Sequence, residues 1–97
     1  MKYIQFGESK PEDADKLMEI RKKMLEDRKK NPEKYAKVLF PTHQMGGVRN
    51  GKSFSVVDAT EEQIMNVKLL YGPLVKLEYV PIFETDKVNE YFQKMKK

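Results

Sequence analysis

The only histidine of the chain, His43, is the residue best suited to move a proton, and its candidate partner is Asp58. Asn50-Gly51 predicts a two-residue hairpin turn, and such a turn would place His43 directly opposite Asp58 on the neighbouring strand. Opposed side chains have Cβ atoms about 4.5–5.5 Å apart. A carboxylate at that distance favours a charged imidazole and fixes which ring nitrogen carries the proton. The pair is half of a general-base arrangement, so we predict His43 and Asp58 as candidate catalytic residues.

The same two residues also have an interpretation without catalysis. Gly46-Gly47 lies inside the hairpin, and a β-bulge there would shift the register by one residue. Such a shift would move His43 to the opposite face of the sheet from Asp58. A structural polar pair, a contact with a ligand and a catalytic role therefore stay as alternatives for His43.

Three aromatic residues are candidate ligand contacts: Tyr71, Tyr79 and Phe54. Tyrosines between sheet and helices would place hydroxyl groups on an apolar wall, as in many small-molecule sites. A purely hydrophobic-core role is the alternative for these aromatic residues. One histidine and no cysteine leave no recognisable zinc set, and no glycine-rich loop opens a helix to bind phosphate. We therefore predict neither a metal nor a cofactor.

Composition describes a small, highly charged chain of 97 residues, which is the usual size for one domain spanning residues 1–97. The net charge of +4 comes from basic residues on or just after the first predicted helix and at the end of the chain, and acidic residues are mixed among the basic ones of that helix. This mixing favours a solvated helix face over a nucleic-acid surface. The sequence shows no secretory signal and no apolar run of the roughly 18 residues that cross a bilayer. We predict a cytoplasmic protein that binds neither nucleic acid nor membrane.

The elements that must position the candidate residues alternate between strand and helix. A first strand is predicted over 2–7, and Ser9 with Glu12 predicts a capping box before a helix over 10–30. The remaining predicted elements are strands over 37–48, 52–59 and 75–83, a helix between the Thr60-Gln63 capping box and Gly72-Pro73, and a short amphipathic helix over 86–95.

This order predicts an α+β fold of the ferredoxin-like βαββαβ type, with a four-stranded antiparallel sheet and a short C-terminal helix. Right-handed crossovers would place the first and third strands in the centre of the sheet. The second sheet face should be polar if it were solvated, but Leu39, Val80 and Ile82 add apolar groups to it. A second copy of the chain would cover that face and form a dimeric α/β barrel. The alternative is that the C-terminal helix folds across it.

Four segments carry a resemblance to a known family: VLFPTH (38–43), GKSFSVVDA (51–59), LYGPL (70–74) and EYVPI (78–82). Together they resemble an uncharacterised family, domain of unknown function thirty-three-oh-three, of the dimeric α/β-barrel superfamily. The resemblance covers nearly the whole chain and implies a homodimeric barrel. The superfamily includes monooxygenase-like and stress-responsive domains, and it makes haem binding through His43 a further alternative. The family has no settled activity.

Three functions follow as hypotheses. The first is a homodimeric binding or regulatory module that holds a small apolar or aromatic ligand between sheet and helices. The alternative is a cofactor-free monooxygenase or isomerase-like enzyme that uses His43 and Asp58. The third is a structural interaction domain without a pocket.

Overall fold

Strands and helices follow one another in the predicted order in the computed structural model, which describes residues 1–47 and 51–96. Short 3-10 turns precede α1, β2 and β4. The predicted turn at Asn50-Gly51, with its pairing of Arg49 and Lys52, falls partly outside the described residues. The elements are β1 (Lys2–Ser9), α1 (Ala14–Lys30), β2 (Lys37–Gln44), β3 (Lys52–Asp58), α2 (Glu61–Tyr71), β4 (Val75–Pro81) and α3 (Thr85–Met95).

The four strands form one antiparallel sheet with the order β2-β3-β1-β4. The prediction that the first and third strands lie in the centre is confirmed. Pro41 lies in the edge strand β2, where a residue without a backbone N–H is tolerated. An α+β chain with this strand order is consistent with the predicted ferredoxin-like fold. Within the described residues, no helix is both long and apolar enough to cross a membrane.

The two predicted capping boxes have different outcomes. At α2 the box is present, because the Thr60 hydroxyl accepts from the Gln63 amide at 3.2 Å and the Gln63 side chain accepts from the Thr60 amide at 3.0 Å. The box predicted from Ser9 and Glu12 is wrong. Ser9 is the last residue of β1, where its amide donates to the Gly51 carbonyl at 3.2 Å. Because Ser9 pairs within the sheet, it is part of β1 and does not cap the helix that follows.

A side-chain cluster at the end of α1 fixes where β2 begins. Asp27 accepts hydrogen bonds from the Asn31 side chain at 2.9 Å and from the Tyr35 hydroxyl at 2.5 Å. These two bonds hold the pKa of the Asp27 carboxyl below its ordinary value. Arg28 donates to the Ala36 carbonyl at 3.1 Å. Since Tyr35 is buried, this network ties the helix end to the chain segment that enters the sheet.

The two faces of the sheet are covered very differently. The buried side chains Tyr35, Ser55, Val57 and Ala59 lie on the side of α1 and α2. The second face, here called the open face, carries no helix, and α3 does not fold across it. Every residue of α3 is exposed, and the radius of gyration is 16.0 Å, against about 12.5 Å for a compact chain of this length. The hypothesis that the C-terminal helix covers the sheet is therefore wrong for this structure.

Candidate functional site

His43 lies on the open face opposite Phe54, and not opposite Asp58. Gln44, the last residue of β2, already lies opposite Ser53, so the connection between β2 and β3 sets the partner of His43, and the two register shifts further along β2 do not. Asp58 is four residues further along β3 than Phe54, about 13 Å away at the rise of a strand. The predicted pairing of His43 with Asp58 is therefore wrong.

The neighbours of His43 are aromatic. Its ring stacks on Phe40 with centroids 4.6 Å apart and planes at 12°, and it lies 5.9 Å from the ring of Phe54. Nδ1 lies 2.7 Å from the Pro41 carbonyl oxygen, and since a carbonyl only accepts, Nδ1 donates. The ring is exposed. His43 is therefore a member of a surface aromatic cluster with no carboxylate at hand to make it a general base.

Asp58 lies at the far end of the sheet and has its own partners. Its carboxylate accepts from the Met1 amino group at 3.1 Å, and Lys2 and Lys37 are the residues opposite it on the two neighbouring strands. Basic groups surround this carboxylate, which makes it a structural ion-pair partner in the described structure.

The three predicted ligand contacts do not share one site. Phe54 is on the open face beside His43, whereas Tyr71 and Tyr79 are on the helix side of the sheet. The Tyr71 hydroxyl donates to the Met24 sulfur at 3.8 Å, and burial raises its pKa. Burial also raises the pKa of Tyr79 to about 12, and its ring meets Tyr3 edge to face at 6.0 Å. Tyr79 is therefore half-buried against Tyr3 on the helix side, and Tyr71 lines a cavity.

That cavity is the space between α1 and the sheet. It consists of two adjoining parts of about 200 and 270 Å³, and both are lined by Gln5, Arg21, Thr42 and Tyr71. Ser55 closes the first part and Ser53 with Gln44 closes the second. Hydroxyl and amide groups on three strands thus form its floor, and a guanidinium from α1 lies on its wall.

The register explains why these polar groups meet. Gln5 pairs with Ser55, and Ser53 pairs with Gly7 on one side and Gln44 on the other. Ser55 is only 2% exposed, which is unusual burial for a hydroxyl residue on a sheet face that packs against helices. A Cβ at Gly7 would lie 2.9 Å from the Ser53 Oγ, so the glycine leaves room for that hydroxyl.

The two faces of the sheet differ in polarity from strand to strand: β4 turns Val75, Leu77 and Tyr79 towards the helices and Lys76 and Glu78 away from them, whereas part of β3 and β1 does the opposite. In β3 the serines 53 and 55 face the helices, while Phe54 and Val56 face the open side. β1 has the same pattern, with Gln5 and Gly7 towards the helices and Phe6 on the open side. Sequence reasoning missed this site, although the alternation Ser-Phe-Ser-Val was its signal.

No family model matches this chain, and neither a curated protein nor a solved structure matches it. The family resemblance stays a prediction. Among the residues that the structure describes, no group of three His, Asp or Glu side chains is placed to hold a metal ion. The arrangement can bind a small molecule through hydroxyl, amide and guanidinium groups, and it offers no general-base pair.

Proposed function

We propose that this protein is a homodimeric binding module that holds a small molecule between α1 and the sheet. The observation that carries the proposal is the alternation of polar and apolar residues in β3 and β1. It places Ser53, Ser55 and Gln5 on the floor of a cavity below α1, and it places Phe54 and Phe6 on the open face, which no helix of the described residues covers. One feature of the sequence thus accounts for both a ligand site and a self-association surface.

The argument for a dimer comes from the open face. Phe40 is 42% exposed and Val80 is 37% exposed, and both lie on the open face, which also carries Phe54 and the charged residues Lys76 and Glu78. Apolar surface of this kind gains about 25 cal/mol per Å² when it leaves water. Four strands at about 4.8 Å spacing and seven residues long make a face of roughly 15–20 by 23 Å. A second sheet stacked on that face would complete the dimeric α/β barrel that we predict from the sequence.

The argument for a ligand comes from the chemistry of the cavity lining. Each part is smaller than the 300–1,000 Å³ typical of drug-sized sites, so the ligand is small or spans both parts. Arg21 and the hydroxyl of Thr42 supply donors, and Tyr71 supplies an aromatic wall. These groups favour a ring-containing small molecule with a carboxylate or carbonyl acceptor, which is more polar than the apolar ligand predicted from the sequence.

The test is a screen of small aromatic carboxylic acids against ¹⁵N-labelled protein. We expect a bound acid to shift the amides of Gln5, Ser53 and Ser55 while leaving those of α3 unchanged. Thr42→Val removes one hydroxyl at nearly constant volume and should weaken binding about five- to tenfold, the equivalent of one hydrogen bond. Thr85→Val, outside the cavity, is the matched control and should bind as the parent does. Acids that bind elsewhere, or none that bind, would refute the ligand half of the proposal.

The enzymatic alternative stays a prediction. No distance in the described structure favours it, because His43 and Asp58 lie about 13 Å apart along the sheet.

A further inference from the structure

The helix α3 is an amphipathic arm whose apolar side touches nothing large enough to cover it. Val88, Tyr91, Phe92 and Met95 follow one another at helical spacing, so they lie along one side of the helix. They are 50%, 67%, 56% and 67% exposed. Phe83, just before the helix, is 68% exposed. An apolar stripe this continuous on a charged chain indicates an interaction surface.

A second uncovered apolar segment lies on β2. Val38, Leu39 and Phe40 are 41%, 42% and 42% exposed, in the stretch where the register with β3 shifts. Because of that shift, Val38 lies at the helix side of this edge and Phe40 lies on the open face. β2 is an edge strand, and its outer edge is unpaired in the sheet. Such an edge invites contact with another chain.

The arm and this segment lie at the same end of the sheet but at opposite edges. Lys37 pairs with Asp58, Asp58 pairs with Lys2, and the Ile82 amide donates to the Lys2 carbonyl at 3.0 Å. The start of β2 and the end of β4 are therefore level with each other. About 14 Å of sheet separates them, since three strand spacings lie between the two edges.

We propose that α3 of one copy packs on the segment Val38–Phe40 of a second copy, and that the second copy returns the same contact. This inference rests on the homodimer of the proposed function and specifies its geometry. Two sheets that stack face to face can be related by a two-fold axis that runs parallel to the strands. The strands of both copies then point the same way, but the order of the strands across the sheet is reversed in the second copy. β4 of one copy then lies over β2 of the other, with the arm and the segment at the same end.

The area is adequate for a stable contact. Phe83, Tyr91 and Phe92 each have about 200 Å² of surface, so their exposed parts alone present about 400 Å². Because the contact is made twice, each copy contributes one arm and one receiving segment. The receiving segment presents about 250 Å² at most, so each copy buries about 650 Å² and the two copies about 1,300 Å², which is at the lower end of the standard range of 1,200–2,000 Å². If the apolar stripe of α3 bound a different protein, the receiving segment and the open face would stay uncovered. A second copy of this chain covers the stripe, the segment and the open face together.

The experiment uses the absence of cysteine in the chain. Lys94→Cys, on the polar side of α3, carries a spin label in unlabelled protein, which is mixed with an equal amount of ¹⁵N-labelled parent chain. Only contacts between copies then broaden the observed amide signals. We expect the strongest broadening at Val38, Leu39 and Phe40. Broadening elsewhere, or none in a sample that sediments as a dimer, overturns the arm contact while leaving the dimer standing.

A charge in the stripe provides the second measurement. Phe92→Glu should raise the dimer dissociation constant more than tenfold and abolish the broadening, whereas Lys87→Glu should change neither by more than twofold. Phe92 is already exposed within one copy, so its substitution does not threaten the fold of that copy. A parent chain that sediments as a single 11.4 kDa particle overturns both this contact and the homodimer. Ligand binding by such a particle would still be measured separately.

Discussion

The Tyr35 hydroxyl donates a hydrogen bond to the Asp27 carboxylate at 2.5 Å and so connects the end of α1 to the start of β2. The bond stabilises the ionised carboxylate and lowers its pKa in the folded chain, while the unfolded chain keeps the ordinary value near 3.9. The unfolded state therefore binds the proton first as the pH falls. This contribution to stability is complete above about pH 5 and declines as acid protonates Asp27.

We expect Tyr35→Phe to lower the urea midpoint at pH 7 and to flatten the loss of stability between about pH 5 and pH 2. The measurement is a series of denaturation curves across that range. Tyr3→Phe, which removes a hydroxyl outside the Asp27 network, is the control and should reproduce the acid slope of the parent. An unchanged acid slope in Tyr35→Phe would show that the bond does not stabilise the folded chain.

Burial of Tyr79 gives a second pH dependence at the alkaline end. Its pKa of about 12 in the folded chain exceeds the ordinary value near 10, because ionisation in the core is unfavourable. The unfolded chain loses this proton first as the pH rises, so stability falls between about pH 10 and pH 12. Tyr79→Phe should make that fall shallower, as followed by circular dichroism. Absorbance titration of the parent should show one of its five tyrosines ionising last.

His43 gives a test that separates the open face from the ligand cavity. His43→Phe preserves a ring stacked between Phe40 and Phe54, so we expect it to fold and to bind cavity ligands within twofold of the parent. Calorimetry with the best acid from the screen measures this. Loss of binding with an intact fold would place His43 in the ligand site, contrary to the geometry described above.

A substitution of Phe54 tests whether the open face of the sheet forms part of the dimer interface. Its side chain lies on the open face within the aromatic cluster, and a carboxylate there would be desolvated by a second sheet. Phe54→Glu should raise the dimer dissociation constant at least tenfold in analytical ultracentrifugation. Glu61→Lys, at the exposed start of α2, is a charge-changing control and should leave it unchanged. Equal dissociation constants for all three chains would refute the open face as the interface.

Local signals predicted the fold well where no distant strand competed for the same residue. Thr60 and Gln63 cap α2 as predicted, because both partners belong to one turn. Ser9 carries a similar signal, but pairing with the chain near Gly51 extends β1 through it. Strand order followed from the succession of elements, since few topologies connect two crossovers and a hairpin.

The site was less predictable because register is a property of two strands together. A pairing counted from Asn50-Gly51 assumes a two-residue turn, but β2 ends at Gln44, which already lies opposite Ser53, and this register places His43 opposite Phe54. The sequence contains a pattern from which the polar floor of the cavity could have been predicted. Because Ser53 and Ser55 alternate with Phe54, the two serines must lie on one face of the sheet and Phe54 on the other. The alternation does not show which of the two faces packs against the helices.

The uncovered open face would make the stability of the proposed homodimer depend on protein concentration. Phe6, Phe40 and Phe54 would leave water there only when two copies meet, so part of the stabilisation would come from association. For such a chain the folded fraction rises with protein concentration, and dilution alone acts as a denaturant. At a low expression level, a larger fraction of the chains would then be unfolded and open to proteolysis. The amount of folded, ligand-binding protein would therefore rise more than twofold when the expression level doubles.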